Sequence, residues 1–120
     1  MNIEQFRDFC LGKKGVTESF PFDQNTLVFK VSGKMFALTS LKDWEEGMQF
    51  INLKCDPEYA LELRATYESI DPGYHMSKKH WNSVRIYKGE LTLQLITQLI
   101  NHSYDLVVKS LTKKQKEALL

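Results

Sequence analysis

Two cysteines in 120 residues, Cys10 and Cys55, are too few for a disulfide framework. Their spacing matches neither a CxxC pair nor a zinc ligand set. With no secretory leader ahead of the first helical pattern, both read as reduced thiols of a cytoplasmic protein. No apolar run approaches the roughly 18 residues that a membrane span requires. A nucleophile elbow and a glycine-rich phosphate loop are both missing, so no motif points to an enzyme or a cofactor. His75 and His80 are five apart, off the four-residue helical spacing of zinc proteases, with no acid between them. His102 stands alone, and no metal site is expected. Internal repeats, low-complexity tracts and linkers are absent too.

What is present is an ordinary globular composition, 42% hydrophobic and 26% charged. A chain of this length forms one domain, residues 1–120, and buries roughly two-thirds of its unfolded surface without staples. Net charge is only +1, but it is unevenly spread. Residues 42–71 hold three basic against eight acidic side chains, and residues 72–120 hold eight basic against three acidic. Opposed acidic and basic faces would follow, unless folding interleaves the two segments and cancels the field.

Asn2 with Gln5 forms a capping box, and Ile3, Phe6, Phe9 and Cys10 recur on one face of a first helix that ends at Gly12. Val16 to Gln24 reads as an extended loop, pinned to the core by the aromatics of Phe20-Pro21-Phe22. The period then changes to two. Thr26–Val31 and Lys34–Thr39 are strands joined by a tight Ser32-Gly33 turn. Lys42–Gly47 reads as an acidic surface loop around Trp44, and Met48–Lys54 as a third strand.

Asp56-Pro57-Glu58 is a helix start: a cap, proline at the first helical position and an acid in the first turn. The helix ends before Asp71-Pro72-Gly73. An irregular loop leads into a strand from about Trp81 to Tyr87. The longest helix runs from Thr92 to Ser110, with Leu95, Ile96, Leu99, Ile100, Leu106 and Val107 as its buried stripe. Thr112 caps a last short helix, Lys113 to Leu120. Short turns between strands make the sheet antiparallel, and helices segregated to one of its faces make the fold class α+β.

The densest chemistry lies between Pro72 and Ile86: two histidines, a tryptophan, an asparagine, two adjacent lysines and an arginine. In a strand, Trp81, Ser83, Arg85 and Tyr87 share one face, with Asn82, Val84 and Ile86 on the other. Val84 and Ile86 look like core, which would turn Arg85 outward with Trp81 and Tyr87. Lys78, Lys79, Arg85 and Lys88 could then neutralise phosphates, with His80 beside them. Asn82 and Arg85 carry donors suited to base edges, and Trp81 could stack on an exposed base. The competing reading packs Trp81 under a loop and leaves the lysines merely solvated.

The segments Gly33-Lys34-Met35-Phe36-Ala37-Leu38, Asn52-Leu53-Lys54-Cys55-Asp56-Pro57-Glu58 with Leu63-Arg64, Lys78-Lys79-His80-Trp81-Asn82-Ser83-Val84 and Tyr104-Asp105-Leu106-Val107 carry a resemblance. Along nearly its whole length the chain resembles the MmcQ/YjbR family, most specifically at His80-Trp81-Asn82. The resemblance implies a CyaY-like fold, an antiparallel sheet backed by helices, and the DNA-binding label that this family usually carries. It implies no enzymatic activity. The same fold invites comparison with frataxin, but Glu4 and Asp8 in the first helix are too little acid to carry iron binding over.

The expected function is therefore a non-enzymatic DNA-binding module contacting its partner through Lys78, Lys79, His80, Trp81, Asn82, Arg85 and Lys88. An alternative uses a pocket of Tyr74, His75, His80 and Trp81 for a protein partner or a small ligand, with no nucleic-acid role. Neither involves a membrane, and the oligomeric state is left open. Cys55 precedes a helix start, where a thiol pKa can fall, but it reads as a joint between strand and cap.

Overall fold

The computed structural model describes residues 1–120. Helix α1 (Ile3–Leu11) starts at the Asn2–Gln5 capping box. Strands β1 (Val16–Ser19), β2 (Thr26–Val31) and β3 (Lys34–Ser40) follow, then a five-residue helix α2 (Leu41–Glu45) and β4 (Phe50–Lys54). Helix α3 (Pro57–Thr66) leads to the short β5 (Ile70–Pro72), and β6 (Trp81–Arg85) ends in a 3-10 turn at Ile86–Lys88. Helices α4 (Leu93–Lys109) and α5 (Lys113–Ala118) complete the chain. The six strands form one antiparallel sheet in the order β1-β2-β3-β4-β6-β5. No helix is long and apolar enough to cross a membrane.

Alternation along the strands decides which face takes the helices. Leu27, Phe29 and Val31 of β2 and Ile51 and Leu53 of β4 join Phe6 and Cys10 of α1, Ala60 and Leu63 of α3 and the Ile96–Val107 stripe of α4 in one core. A bulge between Phe29 and Lys30 makes two consecutive β3 residues, Phe36 and Ala37, core residues. The freed Phe36 carbonyl accepts the hydroxyl of buried Ser103 in α4, which in turn accepts the Lys54 amide at 2.9 Å. Helix α4 is thus bonded to the sheet as well as packed on it. The opposite, open face carries only a small cluster of Val28, Leu38 and Trp81, flanked by Met35 and Met76.

Four expectations are corrected. Val16–Ser19 is an edge strand, and Phe20 and Phe22 are 48% and 64% exposed, so no aromatic pins that segment to the core. Lys42–Gly47 begins as helix, because the Ser40 hydroxyl caps the Asp43 amide and the Trp44 indole donates to Thr39 Oγ1 at 2.7 Å. Ile70–Pro72 is a strand, its proline tolerated because β5 lies at the sheet edge. The last strand stops at Arg85, where the chain tightens into the 3-10 turn.

Candidate nucleic-acid interface and the loop that builds it

The Gly73–His80 loop folds back over the open face. Gly73 donates its amide to the Trp81 carbonyl at 2.8 Å, and a Cβ at this position would lie 2.7 Å from the Trp81 Cβ. Only glycine permits that approach. Tyr74 is fastened from below: its amide donates to Ser83 Oγ at 2.9 Å, and its carbonyl accepts Asn52 Nδ2 at 3.1 Å. Ser83 Oγ also donates to Asn52 Oδ1, closing a buried polar triangle in which Asn52 and Ser83 satisfy each other.

The far end of the loop is held by Arg64, which α3 places on its inner stripe one turn beyond Ala60. Its Nε donates to Asn82 Oδ1 at 2.7 Å, and its Nη2 to the carbonyls of Trp81 at 3.1 Å and of Lys78. The His80 carbonyl accepts the Cys55 amide at 2.8 Å. The planar guanidinium spans the three acceptors from two nitrogens, Nε and Nη2, whereas an ammonium would have to reach them from a single one. The Lys-Lys-His-Trp-Asn motif therefore runs from a loop into the start of β6, and α3 anchors that junction through Arg64.

This anchoring overturns part of the sequence-derived site. Trp81 does lie on the open face with Ser83 and Arg85, but it is only 8% exposed beneath Met76 and Gly73. Asn82 is 2% exposed, its oxygen held by Arg64 and its Nδ2 without a partner. Trp81 reaches no base without the loop opening, and Asn82 lies on the helix-covered face in the hold of Arg64. Arg85 is paired with Asp71 at 2.7 Å. Lys88 sits in the 3-10 turn beyond the far end of β6, roughly 15 Å or more from the lysine pair at the usual strand rise. Lys78, Lys79 and His80 remain together and exposed. Of the alternative pocket, Tyr74 and His75 are exposed side by side with ring centroids 4.0 Å apart, while Trp81 is shut away.

The thiols and the third histidine have structural places. Burial pushes the Cys55 thiol up to about 11 and Cys10 to about 12, so the helix start does not activate Cys55. His102 Nε2 accepts the Asp56 amide at 3.1 Å and packs edge-on against Tyr59.

A feature that no local motif announced is the charge at one end of the sheet. Val16 pairs with Val31, Val31 with Lys34, and Lys54 with Trp81, so these residues mark one common end. Lys13 and Lys14 precede β1 there, Lys34 opens β3, and Lys78 and Lys79 precede β6. Lys34 Nζ reaches the Ser110 carbonyl at 3.5 Å, which brings Lys109 and the α5 lysines 113, 114 and 116 to the same end. The acids Asp23, Asp43, Glu45, Glu46, Glu68 and Glu90 sit at the other end, beside the starts of β2, β4 and β5 and the end of β3.

A family model described as YjbR matches residues 11–106. The chain belongs to the YjbR family. The uncharacterized protein YbdF of Escherichia coli O157:H7 is 46% identical over 99 residues, 82% of this chain and 77% of that protein. The uncharacterized protein YjbR of Escherichia coli K12 is 28% identical over 120 residues, all of this chain and 98% of that one. Among solved structures, Deinococcus radiodurans protein DR2400, a DUF419 domain, has a TM-score of 0.88 at 38% identity, covering 98% of this chain and 87% of its own. A Pseudomonas syringae protein follows with a TM-score of 0.73 at 31% identity, covering 88% and 98%. In this YjbR-family chain the Arg64 anchor and the loop it holds fall inside the residues that the family model matches.

Proposed function

We propose that this YjbR-family protein is a non-enzymatic module that binds DNA by its phosphates, through the lysine-rich end of the sheet. The observation that carries the reading is the convergence of lysines from separate chain segments onto one end, where they outnumber the acids Asp56, Glu58 and Glu117, while six acids sit at the other. Such a dipolar field steers and orients a polyanion. Lys78 and Lys79 contribute from a loop held by Arg64, with His80 exposed beside them. Trp81 and Asn82 act by shaping that loop, with no contact to bases. The affinity should accordingly be salt-dependent and weakly selective for sequence.

If five of these lysines reach phosphates, affinity for duplex DNA falls about 500-fold between roughly 50 and 200 mM salt. Lys78→Glu with Lys79→Glu should flatten the slope of log affinity against log salt from about −4.5 to about −2.7. Fluorescence anisotropy of labelled duplex and single-stranded DNA reads both quantities. No binding at the lower salt sinks the proposal, and an unchanged slope in the double variant removes the loop from the interface.

A further inference from the structure

The open face carries a cavity of about 470 Å³ that phosphate binding leaves unused. Its floor is sheet, with Leu38 and Asn52, and its walls are Phe22, Phe50, Tyr74 and Met76. A smaller pocket of about 210 Å³ adjoins it through Asp43, Phe50 and Tyr74. That size suits a small molecule. Phe22 and Tyr74 are 64% and 59% exposed, an apolar rim that water disfavours and a ligand would cover.

Besides His75, an exposed imidazole stacked against Tyr74, the ionisable groups lining this cavity are the carboxylates Asp23 and Asp43. Asp23 accepts the amides of Asn25 and Thr26 and the Thr26 hydroxyl, and these bonds hold its carboxyl below its ordinary range and ionised. Asp43 takes part in no salt bridge, and its amide rather than its carboxylate meets Ser40. The guanidinium in the adjoining pocket, Arg85, is already paired with Asp71. Aromatic faces attract cations, and carboxylates beside them repel anions.

We infer that this cavity binds a small organic cation, a protonated amine carried on a flat apolar body. The amine meets Asp43 while the body lies against Phe22, Phe50 and Tyr74. A phosphate-bearing ligand is disfavoured here by the same carboxylates, so this site is chemically distinct from the lysine-rich end and stands without it.

The test is a titration of the isotopically labelled full chain, followed by amide NMR, with tryptamine and with its anionic counterpart indole-3-propionate. Tryptamine should shift amides at Phe22, Asp43, Phe50 and Tyr74 to Met76, and indole-3-propionate should leave them in place. Asp43→Asn should weaken tryptamine about tenfold, the effect of losing one charge-assisted contact. Phe22→Ser, at a side chain too exposed to matter for folding, should also weaken it. Three results would overturn the inference: no shifts with tryptamine up to about 10 mM, equal binding of the anion, or tryptamine affinity unchanged in both variants.

Discussion

Replacing Arg64 by methionine tests the anchoring of the loop, and the structure bounds the cost. Three acceptors lose a donor, but they do not lose equally. The Lys78 carbonyl belongs to an exposed residue and returns to water, and the Trp81 carbonyl keeps the Gly73 amide. Asn82 Oδ1 is left stranded on a residue only 2% exposed. One orphaned buried acceptor costs about 1–3 kcal/mol, and the lost charged bond to Trp81 adds about 1. The expected loss is about 2–4 kcal/mol, or on the order of 10 °C in Tm for a chain this size. Urea unfolding at constant m-value measures it. Arg64→Lys should recover little, since a shorter side chain ending in one nitrogen does not reproduce the reach of Nε and Nη2 to the three acceptors. Arg64→Met combined with Asn82→Leu should recover most, because removing both partners leaves nothing stranded. An Arg64→Met variant within about 0.5 kcal/mol of the parent, or a double variant less stable than either single one, would refute the anchor.

Gly73→Ala drives a Cβ to 2.7 Å from Trp81, so it should destabilise by about 1–3 kcal/mol and change Trp81 fluorescence; parental stability would mean the approach is looser than described. Both thiols should resist a disulfide reagent at about pH 8 until the chain unfolds, because burial keeps them protonated. Reaction at the rate of free cysteine would contradict that burial. Glu18, bonded to Arg7, Asp23, bonded to its turn amides, and Glu90, bonded to Ser69, are all held below their ordinary carboxyl values. A depressed folded pKa contributes stability above the unfolded value, near pH 4, and withdraws it as pH falls through the folded value. Tm should therefore drop on acidification below about pH 4, and Glu18→Gln with Glu90→Gln should make that drop shallower.

Local chemistry made much of the fold legible. The Asn2–Gln5 box, the Asp56-Pro57 start and the Thr112 cap each place a helix end within a residue. Ser32-Gly33 turns the hairpin with both residues at positive φ, 49° and 78°. What sequence could not supply were elements stabilised by distant partners. Residues 16–19 pair only because β2 offers an edge; α2 is different, held locally by the Ser40 cap and by a Trp44–Thr39 side-chain bond that no hydrophobic period announces. For the site, the strand period placed Trp81, Ser83 and Arg85 on one face, but no period describes the loop that covers Trp81. The overlooked clue was Arg64. A cation on the Ala60–Tyr67 inner stripe needs a buried acceptor, and Asn82 is that acceptor.

The charge asymmetry shows why counting along the chain answers a different question from counting across the fold. The acidic segment 42–71 and the basic segment 72–120 do interleave, since β4 lies hydrogen-bonded to β6 and β5 closes the edge. Had charge been spread evenly along those strands, the field would cancel. It does not, because the sheet is antiparallel and charged residues concentrate where strands begin and end. An antiparallel sheet returns every second connection to the same end, so a lysine pair before β1, a lysine opening β3 and a lysine pair before β6 meet there. The acidic connections between β1 and β2, within α2 and around Glu68 and Glu90 return to the other end, while Asp56 and Glu58 after β4 stay at the lysine-rich end and offset part of its charge. Reversing Lys34 and Lys114, far in sequence from the Lys78-Lys79 loop, should therefore weaken DNA binding as that loop's own reversal does. If only Lys78 and Lys79 matter, the field argument fails and the interface contracts to the loop.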